Sequence, residues 1–433
     1  MVDLDPAIAV AHTHGRTASD SRPPLLLACH AWFHEQIGGA FKLATESAEY
    51  FAGKGHRVFY VCGTQERAPQ NPTVDRGVEL WRYPHPERPS PHPANLWGHV
   101  YGAYRLTQQI LRKTCPACLN GHSPLQFLGA ALAAGKKCTR QVYTVHSPYP
   151  DELASNRTAD KRTFKHRAAD WLAWRIERTA CRRATVVHGE SQFTVRRIGE
   201  LYSRSVDSKT VISPGWVDVE RFRPAEDVAA TRTALGAIWQ TEKPIFLSVR
   251  RLEARMGLDS LIEAARILVD RGFDFRLLIG GSGSMEPRLR QLVSELNLGE
   301  TVFLLGRVPD EELPRCYAAA DCFVLPTRAL ECFGLIILEA YACGTPVIGT
   351  PVGAISELVV RQGQDWLTAG VEASDLAERM SAFLVGGLRA DRKILRSFAE
   401  QWRSDQALES LARILLPPHY LHSSCDSGAI DAR

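Results

Sequence analysis

The chain predicts an α/β protein built from two doubly wound domains, each a parallel sheet with helices on both faces. Three observations predict it. Short apolar runs alternate with helical patterns, which is the βαβ rhythm of a parallel sheet. The rhythm stops in a polar stretch at 217–242, which contains Pro224, and then starts again. The length, 433 residues, is enough for two or three domains of ordinary size.

In order, residues 24–29 read as a first buried strand and 30–37 as a loop. Gly38-Gly39 opens a helix that runs to about residue 52, and Gly53-Lys-Gly-His56 ends it. Residues 57–62 form the next strand. A proline-rich stretch at 84–93 precedes a helix over 96–112. A strand ends at 118–120, a helix follows at 125–134, and 141–145 is a strand that stops at His146-Ser-Pro148. A long helix over 164–181 leads to strands at 184–188 and 211–212. After the polar linker, strands at 244–249, 275–279, 302–305 and 322–325 alternate with helices at 258–271 and 287–296. A helical pattern opens near Phe333-Gly334, and 391–416 is amphipathic helix. The expected division is a flexible segment at 1–24, a first domain at 25–220 and a second at 221–390. A C-terminal helix at 391–416 packs back toward the first domain, and a loose tail follows at 417–433.

Composition excludes several classes. The net charge of +4 does not suggest a nucleic-acid partner. No run of eighteen apolar residues offers a membrane span. Residues 1–24 are polar and lack the apolar core of a signal peptide. Eleven cysteines without regular spacing point to free thiols in a reducing cytoplasm. Cys115-Pro-Ala-Cys118, with His122 beyond, is a lone pair, whereas structural zinc wants four ligands. No metal site is expected. Twelve of the fourteen histidines precede residue 190, which places acid/base or acceptor chemistry in the first domain.

Candidate ligand residues fall at strand ends, where open α/β sheets bind ligands. Glu331 follows the strand at 322–325. Glu339 lies eight residues on, about two turns along the next helix and on roughly the same face. The amides of Phe333, Gly334 and Leu335 open that helix, and a helix N-terminus attracts phosphate. Two glutamates at this spacing also occur as an end charge and a solvated face. Gly38 and Gly39 let backbone approach a pyrophosphate, or simply form a turn. Arg250, Arg251 and Arg255 follow the first strand of the second domain, and forked guanidinium groups clamp diphosphates. Gly280-Gly-Ser-Gly283 and Gly306-Arg307-Val308 are permissive turns at the next strand ends. Residues 157–183 carry nine Lys or Arg against three Asp or Glu, interleaved with Phe164, Trp171, Leu172 and Trp174. That pattern fits either a solvated helix or a peripheral contact with an anionic membrane.

The run from Pro326 through Glu331-Cys-Phe-Gly-Leu-Ile-Ile-Leu-Glu339 to Gly344-Thr-Pro-Val-Ile-Gly349 resembles the E-x7-E signature of retaining glycosyltransferases of family 4. The likeness spans about residues 25–415. It implies the GT-B fold, two Rossmann-like domains facing across a cleft. It further implies transfer of a sugar, with retention and without metal or other cofactor, from a UDP- or GDP-sugar. The acceptor would be the hydroxyl of a carbohydrate, a lipid-linked saccharide or a small metabolite. By the resemblance, Glu331 holds the transferred sugar, Glu339 the ribose and Arg251 the leaving diphosphate. Gly38, Gly39, Arg255, Gly280, Arg307, Val308, Phe333, Gly334 and Leu335 contact the donor. His122, in Asn120-Gly-His122-Ser-Pro124, matches a histidine beside the sugar; His146, at a strand end of similar type, is expected to face the acceptor. Met256 stands where the family has lysine. The implied place of work is the cytoplasm, at or near the inner face of the membrane. Alternatives are a GT-B enzyme such as a nucleotide-sugar epimerase, or a nucleotide-binding module without turnover. No G-x-G-x-x-G opens a helix after a strand, which argues against a dehydrogenase.

Overall fold

The computed structural model describes residues 22–36, 38–85, 93–155, 164–203 and 206–416. The expectations for 1–21, 157–163 and 417–433 lie outside them.

The first domain runs β1 (Leu25–Ala28), α1 (Gly39–Gly53), β2 (Val58–Thr64), β3 (Thr73–Asp75), β4 (Val78–Pro84), α2 (Pro93–Leu111), β5 (Cys118–Gly121) and α3 (Pro124–Ala134). It continues through β6 (Arg140–Val145), α4 (Tyr149–Ser155), α5 (Phe164–Arg183), β7 (Val186–Gly189), α6 (Gln192–Tyr202) and β8 (Thr210–Ile212). The sheet order is β3-β4-β2-β1-β5-β6-β7-β8, parallel except for β3 against β4. Successive residues of β1 serve opposite faces, as the pleat requires. Leu26 and Ala28 join the core under α2, α3 and α5, while Leu25 and Leu27 join the core under α1.

The second domain runs α7 (Val228–Leu235), β9 (Ile245–Val249), α8 (Leu258–Asp270), β10 (Arg276–Gly280), α9 (Glu286–Glu295), β11 (Val302–Gly306), α10 (Leu313–Ala319) and β12 (Cys322–Leu325). It closes with α11 (Leu335–Ala342), β13 (Val347–Gly349), α12 (Ile355–Val359), α13 (Ala373–Leu384), α14 (Arg392–Glu400) and α15 (Ser404–Leu415). Its five strands are parallel, in the order β11-β10-β9-β12-β13. Each sheet therefore has a switch point, between β1 and β5 in the first and between β9 and β12 in the second. Ligands are taken in the crevice outside such a point.

Three local expectations change. Residues 73–84 form a hairpin, turned at Arg76 (φ 48°) and Gly77 (φ 81°). The stretch 217–242 is no simple linker, because Asp227 caps α7 by accepting from the amide of Ala230. The helix over 391–416 is broken at 401–403. There the chain crosses between domains beside its first crossing: Val217 donates to the carbonyl of Trp402, and Ser404 donates to that of Val217. Leu395 and Ala399 of α14 lie in the second-domain core, whereas Leu408, Leu411 and Leu415 of α15 lie in the first. Trp216 belongs to the first core and Val217 to the second, so the domain boundary falls between them. Cys115 is exposed and Cys118 is buried in β5.

One buried acid of the first domain gives a pH signature. Glu177 on α5 accepts from the hydroxyls of Tyr143 and Tyr202 and from the amide of Tyr149. Burial raises its pKa to about 7, against the three hydrogen bonds. A raised folded pKa means that its stabilising share is full below the unfolded value, near 4.5, and is lost as pH rises through about 7. Glu177→Gln is expected to be more stable than wild type at pH 8 by as much as about 3 kcal/mol. The gap should shrink to under about 1 kcal/mol at pH 5. Melting midpoints at the two pH values measure it, and an equal gap at both would refute the assignment.

Candidate active site

The carboxyl ends of the two sheets face each other, and named contacts join them. Ser191 and Thr194, at the start of α6, donate to the carbonyl of Cys332. Glu357 accepts from the amides of Gln192 and Phe193, so a second-domain carboxylate sits on the N-terminus of a first-domain helix. Phe333 packs against Gly215, where an added Cβ would come within 2.7 Å of its ring. A side chain at 215 would force the Phe333 ring or the end of Leu335 to shift.

Glu331 stands on the loop between β12 and α11. Gly353 (φ 59°) lies under its backbone, where a Cβ would meet the carbonyl of Glu331 at 2.1 Å. The amide of Ala354 donates to that carbonyl. Arg250, which the resemblance gave no role of its own, touches the Glu331 side chain. Its Nη2 is 3.2 Å from Glu331 Oε2, and its Nη1 donates to Thr327 at 2.7 Å. The Arg250 side chain is 5% exposed, and burial lowers its pKa to about 10 although Glu331 opposes the shift. Arg251 is exposed and lies within electrostatic reach of Arg250 and Arg255. Arg255 donates to the carbonyl of Leu330. Its pKa is lowered by burial and then by Arg251, with Glu331 and Glu152 pulling the other way.

Met256 is 4% exposed and belongs to the second-domain core. A lysine at that position would have to leave the core to reach a ligand. The positive charge is carried instead by Arg250, Arg251 and Arg255, all on the β9–α8 connection.

Glu339, on α11, is 4% exposed. Lys42 of α1 reaches across the interface to its Oε1 at 2.6 Å, and the Tyr317 hydroxyl donates to its Oε2 at 3.2 Å. A ribose that used this carboxylate would share it with Lys42 or displace it. Lys42→Met would leave the acid without its cation, a change that costs about 3 kcal/mol for a largely buried pair. A lower denaturation midpoint is the expected reading. An unchanged midpoint would show the pair to be open in solution.

Gly334 (φ 92°) caps α11 in a left-handed conformation, and Phe333 is buried beside Trp402. Gly38 caps α1, with no side-chain space because a Cβ would meet the Phe41 ring at 2.9 Å, while Gly39 faces open space. Gly280 abuts Val308, where a Cβ would lie 2.6 Å from its side chain, and Gly281 presses on the Arg250 carbonyl. Arg307 is exposed. These glycines bring the arginine-bearing loop close to the β10 and β11 ends.

His122 and His146 are not separate sites. They touch each other, 2.9 Å apart between Nδ1 and Nε2, and His146 adjoins Glu190. Glu190 and Lys42 went unassigned from sequence, although one sits just after a strand end and the other on the first helix. A second histidine group, His30, His85 and His99, lines a cavity of about 40 Å³ beside Gly63 and Thr64. That volume holds little more than one water. Burial, then His30 and His85, takes the pKa of His99 down to about 2. Among the described residues no cluster has the makings of a metal site, and no helix is long and apolar enough to cross a membrane.

Two Rossmann-like domains with facing switch points make this a GT-B protein. The family comparisons agree. The model for glycosyl transferases group 1 matches residues 237–402, and the model for glycosyltransferase family 4 matches residues 37–221. The chain belongs to the family 4 glycosyltransferases. It is 37% identical over 211 residues to a D-inositol 3-phosphate glycosyltransferase of Nocardia farcinica, covering 47% of this chain and 46% of that protein. It is also 37% identical over 204 residues to a GDP-mannose-dependent monoacylated alpha-(1-6)-phosphatidylinositol monomannoside mannosyltransferase of Corynebacterium glutamicum, covering 45% and 50%. The chain thus spans about half the length of the curated relatives it matches. Among solved structures, sucrose-phosphate synthase from Thermosynechococcus elongatus aligns with a TM-score of 0.77 at 20% identity, over 91% of this chain and 98% of that one. HepE of Anabaena in complex with UDP aligns at 0.69 and 17% identity, over 90% and 98%.

Proposed function

We propose that the protein transfers a sugar from a nucleotide-sugar donor to an acceptor hydroxyl, with retention at the anomeric carbon and without a metal ion. The observation that carries this reading is the Glu331–Arg250 contact at the switch point of the second sheet. Arg251, Arg255 and the N-terminus of α11 stand around it. A carboxylate beside a sugar ring steadies positive charge as the bond to the diphosphate breaks. Guanidinium groups and helix amides take up the negative charge that leaves. In this reading Arg251 and Arg255 hold the diphosphate, with the amides of Phe333, Gly334 and Leu335. Gly38 and Gly39 approach it from the first domain. Glu339 holds the ribose, Arg307 and Val308 border the base, and His122 meets the sugar. Closure of the two domains excludes water, so that transfer outruns hydrolysis. The relatives named for D-inositol 3-phosphate and for GDP-mannose with a phosphatidylinositol mannoside support a nucleotide-sugar donor, GDP-linked in the second case, and a polar or lipid-linked acceptor.

The test is a panel of UDP-, GDP- and ADP-sugars incubated with the purified protein in EDTA, first alone and then with acceptor extracts. The reading expects nucleoside diphosphate from one donor and a product whose anomeric proton coupling matches that of the donor. Inverted product, release that requires a divalent cation, or consumption of donor to free epimer would each overturn a stated part of it.

The membrane contact is part of the same reading. On α5, Trp171 is 60% and Leu172 38% exposed, beside exposed Arg167, Arg175 and Arg182. An exposed indole among arginines suits the interface of an anionic bilayer. Trp174 on the same helix is instead tied down, its ring N–H donating to the carbonyl of Leu201. Sedimentation with phosphatidylglycerol vesicles is expected to fall several-fold in Trp171→Glu, which removes the exposed ring and sets a like charge against the anionic surface. Equal sedimentation of the variant would remove the membrane from the account.

A further inference from the structure

The backbone around Glu331 is held at the carbonyls of residues 330, 331 and 332 in turn. Leu330 has a left-handed backbone (φ 58°), which residues other than glycine seldom adopt. Such a conformation persists only where its surroundings over-determine it. The Leu330 carbonyl accepts from Arg255 at 2.7 Å, and the Glu331 carbonyl accepts from the amide of Ala354 at 2.8 Å. Both donors belong to the second domain. The Cys332 carbonyl accepts from the hydroxyls of Ser191 and Thr194, which belong to the first. All three of these residues are buried.

The start of α6 is gripped from the other side as well. The first amides of a helix find no partner inside it. The amide of Thr194 donates to the side chain of Ser191, the cap that α6 supplies itself. The two amides before it, of Gln192 and Phe193, donate to Glu357 at 3.1 and 2.6 Å. A carboxylate at a helix N-terminus is favoured by the helix dipole, and its hydrogen bonds are charge-assisted. Glu357 lies on α12, and Ala354 is the cap of that same short helix. So α12 holds the Glu331 carbonyl with its first end and α6 with its side chain. The contacts form a closed ring from Glu331 through Ala354, Glu357, the start of α6 and Cys332 back to Glu331. The ring crosses between the domains twice.

We propose that Glu357 is a positioning residue that locks the start of α6 onto the Cys332 carbonyl, so that Glu331 comes into register with the first domain only when the two domains are shut. The inference rests on the transferase reading above. An open enzyme would keep its donor on second-domain groups while the Glu331 loop lacked one of its backbone holds. Closure then completes the catalytic loop at the moment water is excluded.

The test combines amide hydrogen exchange on the full chain with steady-state nucleotide release. In the wild type without substrate, the amides at 192–193 are expected to be protected, although their own helix offers them no partner. Glu357→Gln leaves an oxygen for one amide and sets its NH2 against the other. It should speed exchange at 192–193, with exchange in both cores unchanged. It should lower kcat about 10- to 100-fold while the affinity for nucleoside diphosphate stays within about 3-fold of wild type. Glu357→Asp should recover part of the loss. Thr194→Val keeps the side-chain shape but breaks the other crossing, and it should lower kcat as well. The double variant should be no slower than the slower single variant, because either change opens the same ring. If Glu357→Gln fails to fold, Thr194→Val carries both readouts. Free exchange at 192–193 in the wild type would overturn the proposal. So would faster exchange with an unchanged kcat in the variant, or losses in kcat that multiply in the double variant. A wild type that releases no nucleotide from any donor would fail the proposed function instead, because exchange is read without substrate.

Discussion

Glu331→Gln is expected to lower kcat by about 10²- to 10³-fold, the usual effect of removing one group aimed at developing charge. The fold should survive. The carboxamide oxygen can still accept from Arg250 Nη2, and the Glu331 backbone is held by Ala354 and seated on Gly353. Donor binding should change little, because the contacts proposed for the diphosphate and ribose lie elsewhere on the same loop and helix. Steady-state nucleotide release measures kcat, and calorimetry of nucleoside diphosphate measures binding. Wild-type turnover in this variant would remove Glu331 from the chemistry and with it the main support for the mechanism.

Arg250→Met should be the most damaging change outside the carboxylates. It removes two donors, to Thr327 and to Glu331, from a side chain that is 5% exposed. The loss of two buried hydrogen bonds predicts a stability drop of about 1–3 kcal/mol, and kcat/KM should fall about 10²-fold or more. Arg250→Lys separates charge from shape. A lysine keeps the cation but has no planar fork, so it should recover stability better than activity. Arg251→Met should behave differently, since Arg251 is exposed. Its expected effect is a lower kcat/KM, from the charge lost at the leaving diphosphate, with an unchanged melting midpoint. If Arg250→Met were silent while Arg251→Met abolished turnover, the roles assigned to the two arginines would have to be exchanged.

Much of the fold was legible because its signals are local. Apolar strands that end in glycine or histidine, and the restart after 217–242, need only a few neighbouring residues to be read. The hairpin at 73–84 was missed because β3 is three residues long and half-buried, too short to alternate visibly. The break at 401–403 was missed because its cause lies far away, in the pairing of Val217 with Trp402 and Ser404.

The site divides in the same way. The spacing of Glu331 and Glu339 is local and could be read directly. Which of two adjacent arginines turns toward Glu331 depends on how the chain leaves β9, and nothing in Arg250-Arg251 reveals that. Lys42 lies 297 positions from Glu339, and only the closed interface brings them together. His122, His146 and Glu190 become a unit only through the order β5-β6-β7. Met256 looked like a missing charge in sequence. In the fold it is a core residue, and the cations stand one, five and six positions before it.

The account's central claim is that a sugar nucleotide binds across the two switch points, and a structure of the protein with bound UDP or GDP tests it most directly. The expected complex has the diphosphate at the N-terminus of α11, within reach of Arg251 and Arg255. The ribose lies on Glu339, with Lys42 moved aside or shared, and Glu331 faces the space beyond the terminal phosphate. A nucleotide bound away from α11, with the Lys42–Glu339 pair closed and Arg251 and Arg255 untouched, would contradict it.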